Sequence, residues 1–224
     1  LSSLHNRARY WARYALIMMG ENIYLNELKP WMMKETDFKA TAATLVFRLL
    51  PIADAKNWLL EILQDAKQIR FAIRACGILG DPQVIPWLIK TMQDPRYAQL
   101  CGEAFSNITG INLKEQGLTL ESLPDLDAIL PEIDEDIEFQ VDQDQQLDYP
   151  DASKIGAVWQ KYQYRFKPQN RYFLGHLIDS KYQYLKNIKK DSHRLNMRQL
   201  SSLAYETALS RTSQPLQLPN KVGH

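Results

Sequence analysis

The sequence predicts an all-α protein built from tandem helical hairpins, and three observations support this prediction. Apolar residues recur at spacings of three and four, which places them on one face of a helix. The same pattern returns thirty residues later, several times in the first half of the chain. Only nine glycines occur among 224 residues, which favours helices over a turn-rich β fold.

The first helix of each repeat shows the period most clearly. Small and apolar residues share its columns, and the small ones let neighbouring helices approach closely. We expect these positions to be buried between consecutive first helices. The aligned sets are Ala12, Ala42 and Ala72; Ala15, Leu45, Ala75 and Phe105; Met19, Leu49 and Leu79; and Ile78 with Ile108.

A second helix follows each of the first three first helices, and its columns also align at thirty residues. Gly80 is predicted to end a first helix in the left-handed conformation, Asp81 to cap the next helix, and Pro82 to fit its first turn. A lone hairpin cannot bury its apolar face, so the stack is predicted to fold as a unit. The second-helix columns are Leu28, Trp58 and Leu88, and Met32, Ile62 and Met92.

Four segments are predicted along the chain. Residues 1–114 form the repeat solenoid, which we expect to lack earlier repeats because the chain starts at Leu1 close to helical material. The first helix that ends at Gly110 has no clean partner helix after it. Residues 115–150 are predicted to be an acidic connector, residues 151–212 a helical region that begins at an Asp151 cap, and residues 213–224 a loose tail.

Charge is strongly segregated although the net charge is only +1. Residues 115–153 contain thirteen acidic residues and no Lys or Arg, whereas residues 154–224 contain thirteen basic and three acidic residues. We predict that the acidic connector docks on the basic C-terminal region. A nucleic-acid interface is the alternative, since a basic patch can neutralise phosphates. The candidate patch is Lys186, Lys189, Lys190, Arg194 and Arg198.

Location is predicted to be cytoplasmic. No apolar run approaches the roughly 20 residues that span a bilayer, and no signal peptide is visible. The two cysteines, Cys76 and Cys101, fall inside predicted helices without the flanks of metal ligands, which favours a reducing compartment.

The stretch from Ile69 to Pro82, followed by Val84 to Leu88, resembles the short bacterial HEAT repeat. The resemblance extends over residues 7–110, although Leu50-Pro51 replaces the Gly-Asp turn in the second copy. It implies a short HEAT-type α-solenoid, here with a C-terminal helical extension.

A second resemblance covers nearly the whole chain. It is to an uncharacterised family of bacterial HEAT-repeat proteins that are often encoded beside type VI secretion components. Members are longer at the N-terminus, which implies that this chain is a fragment, and they have Gly-Arg where this chain has Lys190 to Arg194. The matching segments are Gly102 to Gly110, Tyr149-Pro150-Asp151, Trp159, Arg165-Phe166, Arg171 to Gly175, Ala204 to Leu209 and Gln214-Pro215-Leu216.

Catalytic and cofactor motifs are absent from the sequence. It has no Gly-x-Ser-x-Gly elbow, no His-Glu-x-x-His pair and no phosphate-binding Gly-Lys-Ser/Thr loop. The acidic run Glu132 to Glu138 lacks the glycine of a calcium loop. We therefore predict that the protein is not an enzyme and has no cofactor or metal site.

Tryptophans on second helices are the candidate binding residues. Trp31 and Trp87 are predicted to lie on the concave face, where an aromatic groove would suit a protein partner. Packing between layers is the competing interpretation, and it is favoured for Trp58 because Leu28 and Leu88 share its column. Arg70 and Arg74, on the third first helix, complete the predicted protein-binding set.

The predicted function is a non-catalytic scaffold, adaptor or chaperone for a type VI secretion component or its effector. An immunity protein that occludes a toxin is an alternative with the same fold. A bilin-lyase-like enzyme is another, because short HEAT repeats also resemble the chromophore lyases of phycobilisomes. The oligomeric state is left open, and no membrane partner is predicted.

Overall fold

The structure is a computed structural model that describes residues 2–34, 36–121, 144, 146–178, 183–190 and 192–212. The described residues form ten α-helices joined by short 3-10 turns, and one two-stranded hairpin. The helices are α1 (Ser2–Met18), α2 (Lys29–Met33), α3 (Lys39–Leu49), α4 (Ile52–Ile62), α5 (Ile69–Leu79), α6 (Ile85–Thr91), α7 (Ala98–Thr109), α8 (Ala152–Tyr162), α9 (Tyr184–Lys190) and α10 (Met197–Thr212). The hairpin pairs β1 (Tyr172–Phe173) with β2 (His176–Leu177) in antiparallel register.

The protein is an all-α, HEAT-like helical-repeat protein, as the sequence predicts. It divides into two compact units, residues 1–49 with 179–224, and residues 50–178. The boundaries predicted at residues 114 and 150 both lie inside the second unit and stay a prediction. Most of the predicted acidic connector, the run Glu132 to Glu138 and the tail 213–224 lie outside the described residues.

The hairpin turn of the third repeat confirms the predicted cap chemistry. Gly80 ends α5 with a φ of +73°, a left-handed conformation that glycine adopts without strain. The Asp81 carboxylate accepts a hydrogen bond of 3.0 Å from the backbone N–H of Gln83. Pro82 opens the short turn that leads into α6. The main chain therefore reverses direction at Gly80, and Asp81 satisfies one backbone N–H of the turn that follows.

The thirty-residue register holds for three first helices, α3, α5 and α7. Helix α5 packs against α7, and α7 packs against the preceding second helix α6. Two of the predicted packing columns are confirmed there, because their residues are buried in each helix, whereas Leu49 and Ile78 of the other two columns are only partly buried. The buried sets are Ala42 and Ala72, which Gly102 joins in α7, and Leu45, Ala75 and Phe105.

The register predicted for the first copy is wrong. Ala12 and Ala15 are exposed, and Met19 is 75% exposed. Helix α1 instead buries Tyr10 and Ile17, which lie two turns apart on the opposite face. The bulky side chains of α1 fill the core, so the small residues that align in sequence have no neighbour to approach.

Second helices follow their predicted columns with one exception. Leu28, Leu88 and Met32 are fully buried, and Ile62 is 1% exposed. Trp58, by contrast, is only partly buried, so an indole in the leucine column extends towards the surface.

A partner helix exists for α7, contrary to the sequence-based expectation. Helix α8 packs on the second helix α6, with Gly156 beside the side chain of Ile89. It thereby takes the second-helix place of the fourth hairpin. Gly110 ends α7 at a φ of +72°, as Gly80 ends α5. Asp151 caps α8 by accepting from the backbone N–H groups of Ser153 and Lys154 at 3.0 and 3.1 Å.

The acidic segment is therefore an insertion in the turn of the fourth hairpin, between the counterparts of Gly80 and Asp81. Its two ends lie side by side. The N–H of Leu120 donates to the carbonyl of Tyr149 at 3.1 Å, and the N–H of Asp151 donates to the carbonyl of Leu118 at 2.8 Å. These bonds close the base of the insertion, so the chain leaves and re-enters the repeat at one place, between α7 and α8.

Residues 171–175, which we name the strap, run across the C-terminal ends of the first helices in the second unit. The N–H of Tyr172 donates to the carbonyl of Gly80 at 2.8 Å. The N–H groups of Leu174 and Gly175 donate to carbonyls at the end of α7, those of Asn107 and Ile108, at 2.6 and 3.1 Å. The Arg171 guanidinium donates to the carbonyl of Leu50, the first residue of this unit.

The strap bends at the turn between β1 and β2, where Leu174 and Gly175 have φ values of +49° and +80°. This turn usually requires residues such as Asn or Gly, because a leucine at positive φ is strained by roughly 1–2 kcal/mol. The contacts with α7 hold Leu174 in this conformation. The hairpin is therefore shaped by its attachment to the repeat ends more than by its own turn residues.

The first unit combines α1, α2 and α3 with the C-terminal helices α9 and α10. A buried ion pair joins Arg48 of α3 to Glu206 of α10, and the hydroxyl of Tyr184 donates to the same carboxylate at 2.6 Å. The ring of Tyr14 on α1 contacts that of Tyr205 on α10 at a centroid distance of 6.4 Å. Burial raises the pKa of the Tyr205 hydroxyl.

Replacement of Gly80 tests the contact between the strap and α5. A Cβ at this position would collide with the backbone carbonyl of Tyr172. We expect Gly80→Ala to lower the free energy of unfolding by about 3 kcal/mol, from left-handed strain and overpacking together. The matched control is Gly117→Ala, which has a φ of +65° and nothing within 4 Å, and should cost only about 1 kcal/mol. Equal losses in chemical denaturation would show that the close approach at Gly80 is not stabilising.

Replacement of Glu206 tests the ion pair in the first unit. Because Arg48 would keep a buried charge without its carboxylate, we expect Glu206→Gln to lower the free energy of unfolding by about 3 kcal/mol. The control is Glu27→Gln, since Glu27 pairs with Arg13 at 2.6 Å but its side chain is 46% exposed, and exposed pairs contribute less than about 1 kcal/mol. A smaller loss for Glu206→Gln than for Glu27→Gln in urea titrations would contradict the assignment.

Candidate interaction surfaces

The outward face of the second helices in the second unit carries apolar side chains that the core does not use. Leu59 of α4 is 5% exposed and fills the core, whereas its neighbour Leu60 is 62% exposed. One repeat later, Trp87 of α6 is half-buried and Lys90 is exposed. We name the outward positions of α4, α6 and α8 the second-helix face: Asn57, Leu60, Trp87, Lys90, Ala157 and Gln160.

The second-helix face mixes one exposed leucine and one indole with polar groups. Since Asn57 is the repeat equivalent of Trp87, and Leu60 of Lys90, each helix presents one apolar and one polar outward residue. Aromatic and aliphatic groups framed by polar ones are the usual composition of a protein interface. The face contains Trp87, which the sequence singled out, and Leu60, which it did not.

Trp31 lies in the first unit, in a cluster of aromatic rings. It is half-buried, and its ring lies 5.8 Å from that of Tyr10. Tyr10 stacks on Phe38 at 4.2 Å, and Trp11 meets Phe38 edge-on at 5.9 Å. Packing with Tyr10 accounts for one side of the Trp31 indole, while the protein-binding role predicted for it stays a prediction.

Trp11, which the repeat columns do not single out, is 50% exposed at the edge of this cluster. The neighbouring guanidinium of Arg7 lies 5.9 Å from the ring of Phe38. The run Tyr10-Trp11 followed by Tyr14 was the available signal, since it crowds three aromatic residues into one helical turn. The thirty-residue period does not reveal this signal because these residues lie outside the repeat columns.

Arg70 and Arg74 lie on α5 and both reach Asp144. Arg70 is 8% exposed and forms a buried ion pair with Asp144, while its other terminal nitrogen donates to the carbonyl of Arg96 at 2.7 Å. Arg74 is nearly half-exposed, with a nitrogen 3.6 Å from the second carboxylate oxygen of Asp144. The two arginines therefore hold the end of the acidic insertion, 74 and 70 residues away in sequence.

This contact bears on the predicted docking of the acidic segment. Asp144, one of the described acidic residues of that segment, pairs with Arg70 and Arg74 of the repeat helix α5, which lies within residues 1–114. Docking of the segment on the basic C-terminal region stays a prediction, as does the binding of a separate protein by Arg70 and Arg74.

The predicted basic patch lies on α9, the following 3-10 turn and α10. Lys186, Lys189, Lys190 and Arg194 are exposed, and Arg198 is partly buried. Lys189 borders a shallow depression of about 390 Å³ whose floor is apolar. The remaining lining residues are Ser192, Leu200, Leu203, Ala204, Thr207 and Ala208.

Cys76 and Cys101 are buried free thiols inside α5 and α7. Burial is the main cause that raises the pKa of both thiols. The nearby Asp81 carboxylate raises the pKa of Cys76 further, and Cys76 does the same for Cys101. A thiol without access to solvent and with a raised pKa is a poor nucleophile. Both residues serve as small apolar groups between first helices.

Two ion pairs elsewhere in the second unit hold parts of the fold together. The Arg96 guanidinium hydrogen-bonds Asp94 and holds the pKa of that carboxyl below its ordinary value. Asp81 is fully buried and pairs with Lys56 at 2.6 Å. Across the part of the chain that the structure describes, no three His, Cys, Asp or Glu side chains are placed to hold a metal ion.

No helix in the described ranges is both long and apolar enough to cross a membrane.

Comparison with known proteins identifies one segment. Residues 70–94, which comprise nearly all of α5, the Asp81 cap and α6, match the family model described as PBS lyase HEAT-like repeat. The match coincides with the hairpin in which the cap residues are complete. No curated protein and no solved structure matches the chain.

Proposed function

We propose that this protein is a non-catalytic scaffold that binds another protein through its helical repeats. The observation that carries the proposal is Leu60, a large apolar side chain that is 62% exposed on a repeat whose core is already filled by Leu59. A side chain of this kind contributes little to folding, and it gains on the order of 2 kcal/mol when a partner covers it.

Trp87 supports the same proposal one repeat further on. Tryptophan is enriched among the few interface residues that dominate binding energy. Its half-buried indole is held by α6 and keeps one side at the surface. Rigid placement limits the conformational entropy lost on binding, which favours affinity.

The finer proposal is an adaptor or chaperone for a bacterial type VI secretion component or its effector. It rests on the resemblance to HEAT-repeat proteins often encoded beside such systems, whereas the repeat match at residues 70–94 supports the helical-repeat scaffold alone. A toxin-blocking immunity protein would use the same surface. The two roles differ in partner: an adaptor binds a secretion component or cargo, whereas an immunity protein blocks the activity of one toxin.

A bilin-binding enzyme is the second candidate, because the matching family model takes its name from phycobilisome lyases. Mixing the purified chain with a bilin distinguishes this candidate. A new visible absorbance band that survives gel filtration would support it, and an unchanged bilin spectrum would exclude it.

Substitution of Leu60 tests the scaffold proposal. Leu60→Glu should reduce recovery of the type VI partner from the native host at least tenfold, because a charge would be buried at the interface. Recovery is measured by affinity purification and quantitative mass spectrometry, with thermal unfolding recorded in parallel. Since Leu60 lies outside the core, the midpoint should not change.

Leu177→Glu is the matched control, because Leu177 is also an exposed leucine of the second unit, at 47%, but lies on β2. It should retain the partner. Undiminished recovery with Leu60→Glu, or equal loss with both variants, would contradict binding through the second-helix face.

A further inference from the structure

The end of the acidic insertion is held by α5 and α7 as a peptide ligand would be. Asp144 is 2% exposed and places its carboxylate between Arg70 and Arg74. The side-chain amide of Gln99 donates to the carbonyls of Asp144 and Leu147 at 3.0 and 2.7 Å. One side chain and two backbone groups of the same turn are therefore recognised.

The turn itself is compact. The N–H of Leu147 donates to the carbonyl of Asp144 at 2.8 Å. Hydrogen bonds to backbone carbonyls fix the position of the turn, and the arginines select a carboxylate. Recognition of this kind depends on one acidic residue and on the turn conformation, so other sequences with the same two features fit the site.

The helix geometry favours an anion at this place. Arg70 is the second residue of α5, and Gln99 is the second residue of α7. The N-terminal turns of both helices carry partial positive charge, which attracts a carboxylate. Arg70 is buried, so it requires a compensating negative charge that Asp144 supplies in this structure.

Arg74 gives the site an accessible edge. Its side chain is 44% exposed, whereas those of Arg70 and Asp144 are 10% and 3% exposed. An incoming carboxylate can therefore pair with Arg74 before it displaces Asp144 from Arg70. Asp144 is not fixed there by a helix or a strand, because it lies in a turn at the end of the insertion.

We propose that Arg70, Arg74 and Gln99 form a binding site for an acidic turn of a partner protein, which Asp144 occupies as an internal competitor. The proposal rests on the scaffold function for its biological role. It names the chemistry of the partner: a carboxylate followed by a turn with free backbone carbonyls. Because Asp144 is tethered to the chain that carries the site, its effective concentration is on the order of millimolar. A partner that displaces it must therefore also bind elsewhere on the protein, or present its turn at a high local concentration.

A peptide of this chain's own residues 141–150, labelled with a fluorophore, tests the site without knowledge of the partner. Binding to the full chain is measured by fluorescence anisotropy. Asp144→Asn should bind the peptide at least tenfold more tightly than the unsubstituted chain, because the competitor loses its charge but keeps its size. Asp148→Asn is the matched control, since Asp148 is exposed in the same segment, and it should bind like the unsubstituted chain.

Two further variants show that the peptide uses the arginine site. Adding Arg74→Gln to Asp144→Asn should weaken peptide binding at least tenfold. A peptide with Asn in place of the residue equivalent to Asp144 should bind at least tenfold more weakly. No peptide binding by Asp144→Asn, or equal binding of the Asp and Asn peptides, would overturn the proposal.

Circular dichroism establishes whether Asp144→Asn folds. If it does not, hydrogen exchange on the unsubstituted chain decides the matter, since a saturating peptide should increase the exchange of the Leu147 amide that bonds to Asp144. Unchanged exchange would overturn the proposal. The assay contains no secretion partner, so its failure leaves the test of Leu60 and the scaffold function standing.

Discussion

The carbonyl groups at the C-terminal ends of helices need hydrogen-bond donors, and in the second unit the strap supplies them to successive repeats. Tyr172 donates to Gly80 and Leu174 to Asn107, while Arg171 reaches Leu50. These bonds restrict which residues and backbone conformations fit where the strap meets the first helices. Gly80 and Gly110 must be glycine because the strap backbone lies where a Cβ would be. Leu174 adopts a strained φ because its amide points at α7.

The opposite ends of the first helices are covered in a different manner. There the acidic turn at Asp144 pairs with Arg70 near the N-terminus of α5, and Gln99 of α7 holds its carbonyls. The carbonyls at the C-terminal ends thus accept from the strap, and the Asp144 carboxylate lies near the N-terminal end of α5, where the helix dipole favours negative charge. Among the residues that the structure describes, the second-helix face presents the exposed Leu60 and the half-buried Trp87, and this is the surface that we propose for partner binding.

The fold is predictable from the sequence wherever the residues of a single repeat determine the local structure. Gly80, Asp81 and Pro82 predict their turn because each residue acts locally, and the columns of α3, α5 and α7 follow from a regular period. The register predicted for the first copy is wrong because α1 matches the period only in its small residues, whereas Tyr10 and Ile17 determine which face is buried. The sequence does not reveal the partner of α7 because α8 follows Gly110 only after the acidic insertion. The useful signal was that Gly110 and Asp151 together reproduce Gly80-Asp81 with an insertion between them. The pairing of Asp144 with Arg70 has no periodic signature, because its residues belong to an insertion and a repeat.

Hydrogen exchange of the strap amides tests the central claim that the strap is an integral part of the repeat ends. The amides of Tyr172, Leu174 and Gly175 should exchange as slowly as those in the middle of α5 and α7, because opening the strap would expose carbonyls of both helices. The amide of Gln169, an exposed residue of the preceding turn with a φ of +60°, serves as the fast reference. Exchange of the three strap amides at the rate of Gln169, with α5 and α7 still protected, would contradict the account.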